Sequence, residues 1–443
     1  MPLRRSSYDR ESDGKTKRES KTVEKLVIHG GQKLEGEVLI SGAKNAALPL
    51  MAATILAGDE VHLTNLPDLN DIRTMELLLQ QLGAKTTQEN QGLTIDTSGL
   101  DDFDAPYELV KRMRASVLVL GPLLARCGEA KVSLPGGCAI GSRPIDLHLS
   151  GLEAMGAEID LKQGSIHARA PQLKGAEIYL DFPSVGATEN LMMAAVCAKG
   201  TTVIENCACE PELIDLANFL NEMGGRVNGA GSDKLVIEGV TELHGGEHRI
   251  IPDRIETGTY LLAGAITGGR VTTLNCEHSH LHAVLNKLRQ CGVELAVTAS
   301  GEITVDVEKR PKCVDIVTMP YPGFPTDMQA QFTALLAFGR GTSTIKETIF
   351  EDRFMHALEL QRLGADIKID GNSVTITGVD ALEGAPVMAT DLRASAALVL
   401  AGLAANGKTE VRRIYHLDRG YENLEKKLNA IGASVKRQKD EGV

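Results

Sequence analysis

Six times along the chain a helical stretch runs into a short turn, written Leu-Gly-Ala or a near variant, and then into a pair of strands. The turn glycines are Gly83, Gly156, Gly224, Gly292, Gly364 and Gly432. A second phrase keeps step with the first: an Ala/Leu-rich helix that ends in glycine and leads into a β-branched strand. Its copies occupy 46–58, 115–128, 189–200, 258–269, 328–341 and 394–407. Each unit of about 70 residues therefore reads strand, helix, strand, helix, strand, strand. Such a repeat imposes geometry, because residues at the same phase of different copies lie at equivalent places. Groups scattered over the sequence can then be read as one site.

A single unit cannot bury its own apolar surface. The stretch 396–405 is apolar on nearly every side, which places it in an interior. The later helix of each unit, for instance 213–223 or 281–288, mixes apolar and charged residues and should lie over a sheet. Three units packed together bury three apolar helices behind three sheets, so six units give two α/β domains. The natural cut falls around Pro252-Asp253-Arg254. The early segments 25–28 and 36–40 precede the first apolar helix and are able to pair with the C-terminal half. The expected domains are thus 44–251, and 25–43 together with 252–443. Residues 1–24, polar and dense in both charges, are expected to be a disordered extension.

With 3% aromatics, no Trp and a net charge of −12, the chain lacks the stacking platforms and basic surface of a nucleic-acid binder. An acidic protein that binds an anion must build a local cationic pocket against its own field. The apolar stretches, such as 394–405, fall short of the roughly 20 residues a membrane span needs. Eight cysteines without a secretory signal before them fit a reduced, cytoplasmic protein, and Cys127 and Cys197 read as small buried hydrophobes.

The residues that open each apolar helix share one phase. They are Lys44-Asn45, Arg114, Ser184-Val185-Gly186, Glu256-Thr257, Asp327, and Asp391 with Arg393. A helix start offers unpaired N–H groups and a partial positive charge, so it suits anions. With Lys44, Arg114 and Arg393 added, such starts facing one cleft make a pocket for a multiply charged anion. Asp327 is read as the one acid at a phase otherwise rich in cations, which suits a general base kept ionised by its neighbours.

The second phase is the loop before the amphipathic helix. In the second unit it runs Pro135-Gly-Gly-Cys138-Ala-Ile-Gly-Ser-Arg143-Pro144, too long and too rich in Gly and Pro for a tight turn. A thiol with a pKa of roughly 8.5 can donate a proton there, or attack when a cation such as Arg143 is near. Arg353 and Arg419 occupy the same phase in the fifth and sixth units. The run Cys276-Glu-His278-Ser-His280-Leu-His282 has a metal-like composition, but its spacing aligns only on a strand. Cys207-Ala-Cys209 reads as an inert reduced pair rather than a redox couple. No P-loop, dinucleotide glycine fingerprint or HExxH motif is present.

The motifs Ser-Gly-Ala-Lys44-Asn45-Ala-Ala, Met-Arg114-Ala-Ser, Leu-Pro-Gly-Gly-Cys138-Ala-Ile-Gly-Ser-Arg143-Pro, Pro-Asp-Arg254-Ile-Glu-Thr-Gly-Thr, Phe-Pro-Thr-Asp327-Met-Gln-Ala-Gln-Phe and Asp391-Leu-Arg393-Ala-Ser stand in this order. The chain from about Lys25 to Lys436 thereby resembles the enolpyruvyl transferase family, and within it the UDP-N-acetylglucosamine 1-carboxyvinyltransferases. The resemblance implies a two-domain inside-out α/β barrel of six units with the active site between domains. It implies transfer of the enolpyruvyl group of phosphoenolpyruvate to the 3-hydroxyl of UDP-N-acetylglucosamine, with phosphate released, as a step of peptidoglycan precursor synthesis.

It further implies Lys44, Asn45, Arg143 and Arg419 around phosphoenolpyruvate, with Cys138 on the mobile loop as acid or as the site of a covalent adduct. Arg114, Arg143, Pro144, Ile145, Asp146, Leu147, Ser184, Val185, Gly186, Asp327 and Ile349 are implied around the UDP-sugar. Arg353 and Arg393 join the substrate-binding set. No metal or other cofactor is expected, because Lys and Arg do the neutralising. Phe182-Pro183 stand where some relatives carry a Lys, so the diphosphate would lean more on backbone N–H groups. Two alternatives stand beside this reading: the sister transferase acting on shikimate 3-phosphate, which has no counterpart to Cys138, and a non-catalytic paralogue that binds the UDP-sugar as a regulator.

Overall fold

The computed structural model describes residues 24–89, 92–134 and 145–440. Its strands form six four-stranded sheets, each on the same plan. The first strand is parallel to the second, the second antiparallel to the fourth, and the fourth antiparallel to the third, as in Ile316–Val317, Thr342–Lys346, Ser373–Thr377 and Asp366–Asp370. A parallel pair needs a crossover, and the apolar helix of the unit supplies it, here Gln329–Ala337. The strands alternate: in Glu60–Thr64 only Val61 and Leu63 are buried.

The turn after the amphipathic helix explains the repeated glycine. At Gly83, Gly156, Gly224, Gly292, Gly364 and Gly432 φ lies between 81° and 103°, a region that side chains avoid.

The chain does not complete its units in order. The first sheet takes its first strand from Glu247–Arg249, beside Glu60–Thr64. The fourth takes its first strand from Glu35–Leu39, beside Arg270–Leu274. Glu24–His29 closes the sixth sheet between Lys408–Arg412 and Ser434–Lys439. Glu24 is thus strand, whereas the sequence reading put it in the extension; residues 1–23 lie outside the described residues.

The two connecting segments meet where they cross. Ala43 N–H donates to Ile251 O at 2.7 Å, and Asp253 N–H donates to Ser41 O at 2.9 Å. A Cβ on Gly42 would lie 1.8 Å from Asn65 O, so only glycine fits.

Buried apolar side chains sort into two cores. One runs from Ala43 to Ile250; the other joins Leu26–Ile40 to Ile255–Val435. In the first, helices Lys44–Ala53, Leu120–Cys127 and Val185–Ala195 and their short 3-10 extensions pack together behind three sheets. In the second, Arg254–Thr267, Gln329–Ala337 and Leu392–Ala404 do the same. Helices lie inside and sheets outside, which is an inside-out α/β architecture. Cys127 corrects the sequence reading: it is exposed at the helix end, not buried, while Cys197 is half-buried. Among the described residues no helix is long and apolar enough to cross a membrane.

Candidate active site

The six inner helices do not begin alike. Ser184, Asp253 and Asp391 cap their helices, their side chains accepting backbone N–H groups. The second and fifth units open instead with 3-10 turns, Arg114–Val119 and Thr326–Met328. Glu256 lies in the first turn of the fourth helix, which begins at Arg254, and Asp253 caps its N–H; Thr257 follows it. Glu256 is buried and accepts from Ser41 N–H at 2.8 Å and Lys427 Nζ at 2.8 Å; burial pushes its carboxyl up to about 7 against the pull of Lys427.

Asp327 therefore shares its phase with other acids, but its carboxylate is differently spent. Asp253 and Asp391 satisfy helix N–H groups. Asp327 lies between two guanidiniums: Arg353 Nη2 donates to Oδ1 at 2.8 Å and Arg393 Nη2 to Oδ2 at 2.9 Å. Burial alone would raise its carboxyl; Arg393 and Arg353 outweigh that and hold it well below the ordinary carboxylate range. Arg393 also donates to the Tyr421 hydroxyl at 3.3 Å, and its Cζ lies 5.6 Å from the Tyr421 ring centroid. Arg353 sends its other terminal nitrogen to Thr326 Oγ1 at 2.8 Å.

A second carboxylate, Asp71, was missed by the sequence reading. It is 3% exposed. It faces Lys44 Nζ at 3.4 Å and accepts from Arg419 Nε at 2.9 Å. Lys44 and Asp71 belong to the first half and Arg419 to the second, so the pair of contacts bridges the two cores. Burial lowers the Lys44 ammonium from its ordinary value; Asp71 opposes this, Arg393 and Arg419 add to it, and Asp327 opposes it weakly. The same five groups thus act on one another through space. Asp71 opens the amphipathic helix Asn70–Gln81 of the first unit. It sits near the loop phase that had pointed to Arg353 and Arg419, but in sequence an Asp in the first turn of an amphipathic helix reads equally as a solvated charge.

A third group lies within the first half. Asn190, fully buried, donates through Nδ2 to Val117 O and to His148 Nδ1, both at 3.0 Å, and accepts from Gly121 N–H at 2.6 Å. His148 must be neutral to accept there. Burial, with Arg114 nearby, pushes it down to about 4. Gly186 lies against the same ring: a Cβ on it would be 3.4 Å from His148 Cε1. Arg114, His148 and the Ser184–Gly186 helix start are thereby neighbours. The Ser184 hydroxyl accepts from Ala187 N–H at 3.3 Å.

Of the remaining expected residues, Asn45 is half-buried in the first turn of Lys44–Ala53, and Ile145 and Leu147 flank Asp146, which opens Asp146–Ala154. Ile349 is half-buried two residues after Glu347 and donates its N–H to Glu347 Oε1 at 2.8 Å. Cys138, Arg143 and Pro144 lie outside the described residues. Arg254 is spent on Glu212, with Nε 2.9 Å from Oε1. In the Cys276–His282 run the rings of His278 and His282 meet edge to face at 6.1 Å, and the Cys276 thiol bonds to Thr273 O. No group of three or more potential ligands able to hold a metal occurs among the described residues.

Residues 28–428 match the model of the EPSP synthase (3-phosphoshikimate 1-carboxyvinyltransferase) family. The chain is 58% identical over 415 residues to a UDP-N-acetylglucosamine 1-carboxyvinyltransferase of Geotalea uraniireducens, covering 94% of this chain and 99% of that one. It is 56% identical, with the same coverage, to UDP-N-acetylglucosamine 1-carboxyvinyltransferase 1 of Caldanaerobacter subterraneus. Among solved structures, the enolpyruvyl transferase NikO from Streptomyces tendae superposes with a TM-score of 0.85 at 27% identity, over 95% of this chain and all of that one. EPSP synthase from Acinetobacter baumannii shares the fold at a TM-score of 0.75 and 18% identity, over 94% of this chain and 100% of that one.

Proposed function

The chain belongs to the UDP-N-acetylglucosamine 1-carboxyvinyltransferases within the EPSP synthase family, and from that membership we propose that it moves the enolpyruvyl group of phosphoenolpyruvate onto the 3-hydroxyl of UDP-N-acetylglucosamine. The observation that carries this reading is the cationic cluster bridging the two halves. Among the described residues Lys44, Arg353, Arg393 and Arg419 make their ion pairs with two carboxylates, Asp71 and Asp327. In an acidic protein that local excess of positive charge suits a compact carboxylate-and-phosphate substrate.

The reaction has two halves. In addition, the sugar O3 loses its proton to Asp327 and bonds to C2 of phosphoenolpyruvate, while a proton arrives at C3 to make a methyl group. In elimination, a proton leaves C3, the C=C bond reforms, and phosphate departs from C2 with the bonding electrons. Lys44 and Arg419 neutralise the phosphate and carboxylate through both steps; removing one preorganised group of this kind commonly costs on the order of 10²–10³ in rate. Cys138 is the proposed acid, or the site of a covalent adduct. Arg143 joins the cations, and Arg114, 143–147, 184–186 and Ile349 hold the UDP-sugar.

Asp327 paired with two guanidiniums is a poor base. The reading therefore requires Arg393 to turn toward substrate while Arg353 stays on the carboxylate, which returns basicity to Asp327 when the acceptor hydroxyl is in place. The segments 44–251 and 25–43 with 252–443 are the proposed domains, closing about the crossing near Pro252 to exclude water. Both substrates are phosphorylated anions that a bilayer retains, so we assign the reaction to the cytoplasm.

Phosphate release from phosphoenolpyruvate, with UDP-N-acetylglucosamine and shikimate 3-phosphate offered as rival acceptors, tests the assignment. Turnover is expected with the UDP-sugar alone; turnover only with shikimate 3-phosphate, or with neither, overturns it. Asp327→Ala is expected to keep UDP-sugar binding measurable while phosphate release falls by at least about 10². Near-normal turnover removes Asp327 as the base.

A further inference from the structure

Glu347 directly follows the strand Thr342–Lys346 and is 1% exposed. Its carboxylate accepts four hydrogen bonds. Oε1 takes Thr318 Oγ1 at 2.8 Å, Ile349 N–H at 2.8 Å and Phe350 N–H at 3.2 Å; Oε2 takes Thr326 Oγ1 at 2.9 Å. The Thr318 hydroxyl in turn accepts from Thr348 N–H at 2.8 Å, so its own hydrogen is directed to Glu347. All hydrogens converge on one side-chain group as acceptor, a role a carboxylate fills and an amide does not.

Thr326 matters most in this arrangement. Its one hydrogen goes to Glu347, which leaves its oxygen lone pairs to accept from Arg353 Nη1 at 2.8 Å. The chain of bonds then has a fixed direction: Arg353 to Thr326 to Glu347. Arg353 is 5% exposed, and its Nε is without a partner among the described residues. Its pose is set by its two terminal nitrogens, one on Thr326 and the other on Asp327, with the Phe350 ring 5.4 Å from Cζ. Removing the Thr326 hydroxyl leaves a buried guanidinium held by the one carboxylate it is meant to tune.

We infer that Glu347, acting through the Thr326 hydroxyl, is the positioning residue that aims Arg353 at Asp327 and so fixes the orientation of that carboxylate. The same carboxylate holds the backbone of Ile349, so one buried group aligns two elements of the cleft. The inference rests on the reading that Asp327 takes the acceptor proton, and it adds what prepares Asp327 for that step.

Thr326→Val removes the hydroxyl at nearly constant volume, Thr326→Ser keeps it, and Glu347→Gln replaces the acceptor. The measurements on the full chain are kcat, KM for both substrates, the pH profile of kcat/KM and the thermal midpoint. In Thr326→Val, kcat is expected to fall by on the order of 10², as a slightly misplaced reacting group does, with a smaller change in KM. The acidic limb of kcat/KM is expected to move to higher pH, because a misaimed Arg353 no longer depresses Asp327 as fully. Thr326→Ser is expected to recover most of the loss and restore the limb. Glu347→Gln is expected to follow Thr326→Val if it folds; if it does not, the Thr326 pair decides. A Thr326→Val variant with the wild-type limb and kcat overturns the inference. So does a Thr326→Ser variant as impaired as Thr326→Val, since the loss would then come from the methyl group's packing. Should the wild-type chain release no phosphate with the UDP-sugar, the functional reading fails on its own. The inference is then decided by NMR titration of the 13C-labelled Asp327 carboxyl, expected at higher pH in Thr326→Val than in wild type and unchanged if the inference is wrong.

Discussion

Asn190 fixes the protonation of His148 without carrying any charge. Its amide nitrogen gives one hydrogen to Val117 O and the other to His148 Nδ1, while its oxygen takes Gly121 N–H. The ring therefore carries its hydrogen on Nε2, and a second proton would meet the amide's donor. In the unfolded chain His148 titrates near the ordinary 6.5; folded, burial and Arg114 take it to about 4. The unfolded state thus binds the extra proton first. Stability from this group is complete above pH 6.5 and is lost as pH falls from there toward 4, with a slope of at most about 1.4 kcal/mol per pH unit. His356, also lowered to about 4 by burial, adds a similar slope. His148→Gln, whose side-chain oxygen still accepts from Asn190, is expected to remove about one proton's worth of that slope. Urea midpoints measured across the window check it; an unchanged slope means that His148 is not buried neutral. Asp71 is the contrasting case, a buried carboxylate faced by Lys44 and Arg419 from opposite halves.

Among the elements, the helix starts divide by what satisfies their N–H groups. Asp391 serves one helix, its Oδ1 accepting from Arg393 and Ala394 N–H at 2.8 and 3.0 Å. Asp253 serves two: Oδ1 accepts from Ile255 and Glu256 N–H, and Oδ2 lies 3.4 Å from Lys44 N, at the start of the first inner helix. Asp391→Ala is expected to cost about 1 kcal/mol, the usual loss of a cap, and Asp253→Ala about 2 kcal/mol, since it also releases Lys44. Equal losses in chemical denaturation would show that the contact to Lys44 adds nothing. The repeat, the turn glycines and the six inner helices were legible in the sequence because each rests on local chemistry: apolar periodicity, and a backbone angle that only glycine takes readily. Lys44, Asp327, Arg353, Arg393 and Arg419 were legible because phase brought them together. Asp71 and Glu347 were not. In sequence an Asp at a helix start and a Glu at a strand end look like solvated charges, and only the partners that reach them from distant units reveal otherwise. The strand exchange was suspected but not derivable, since Glu247–Arg249 and Glu60–Thr64 pair across most of a half-chain.

For the whole molecule, that exchange means that each half is completed by a strand adjoining the connection to the other. Glu35–Leu39 completes the fourth sheet just before the chain enters the first half, and Glu247–Arg249 completes the first sheet just before it returns. The two connections are hydrogen-bonded to each other where they cross, so a motion of one half against the other bends both together. Ser41 is gripped on the second-half side by Glu256 and Lys427, and Asn65 approaches Gly42 from the first. Gly42 is not in the left-handed region, so its requirement is for space: a methyl there would overlap Asn65 O at 1.8 Å. Backbone cannot withdraw as a side-chain tip can. Gly42→Ala is therefore expected to cost about 3 kcal/mol, the upper end of ordinary overpacking, and to lower phosphate release beyond the loss of folded protein. Gly246, near the same crossing but with open space around its Cβ position and an ordinary φ, serves as the control, with Gly246→Ala expected to stay within about 0.5 kcal/mol. Denaturation midpoints and phosphate release per folded molecule separate the outcomes. A Gly42→Ala protein as stable as the control removes the tight crossing. One that is destabilised yet fully active per folded molecule shows that the crossing holds the halves together without governing how they close.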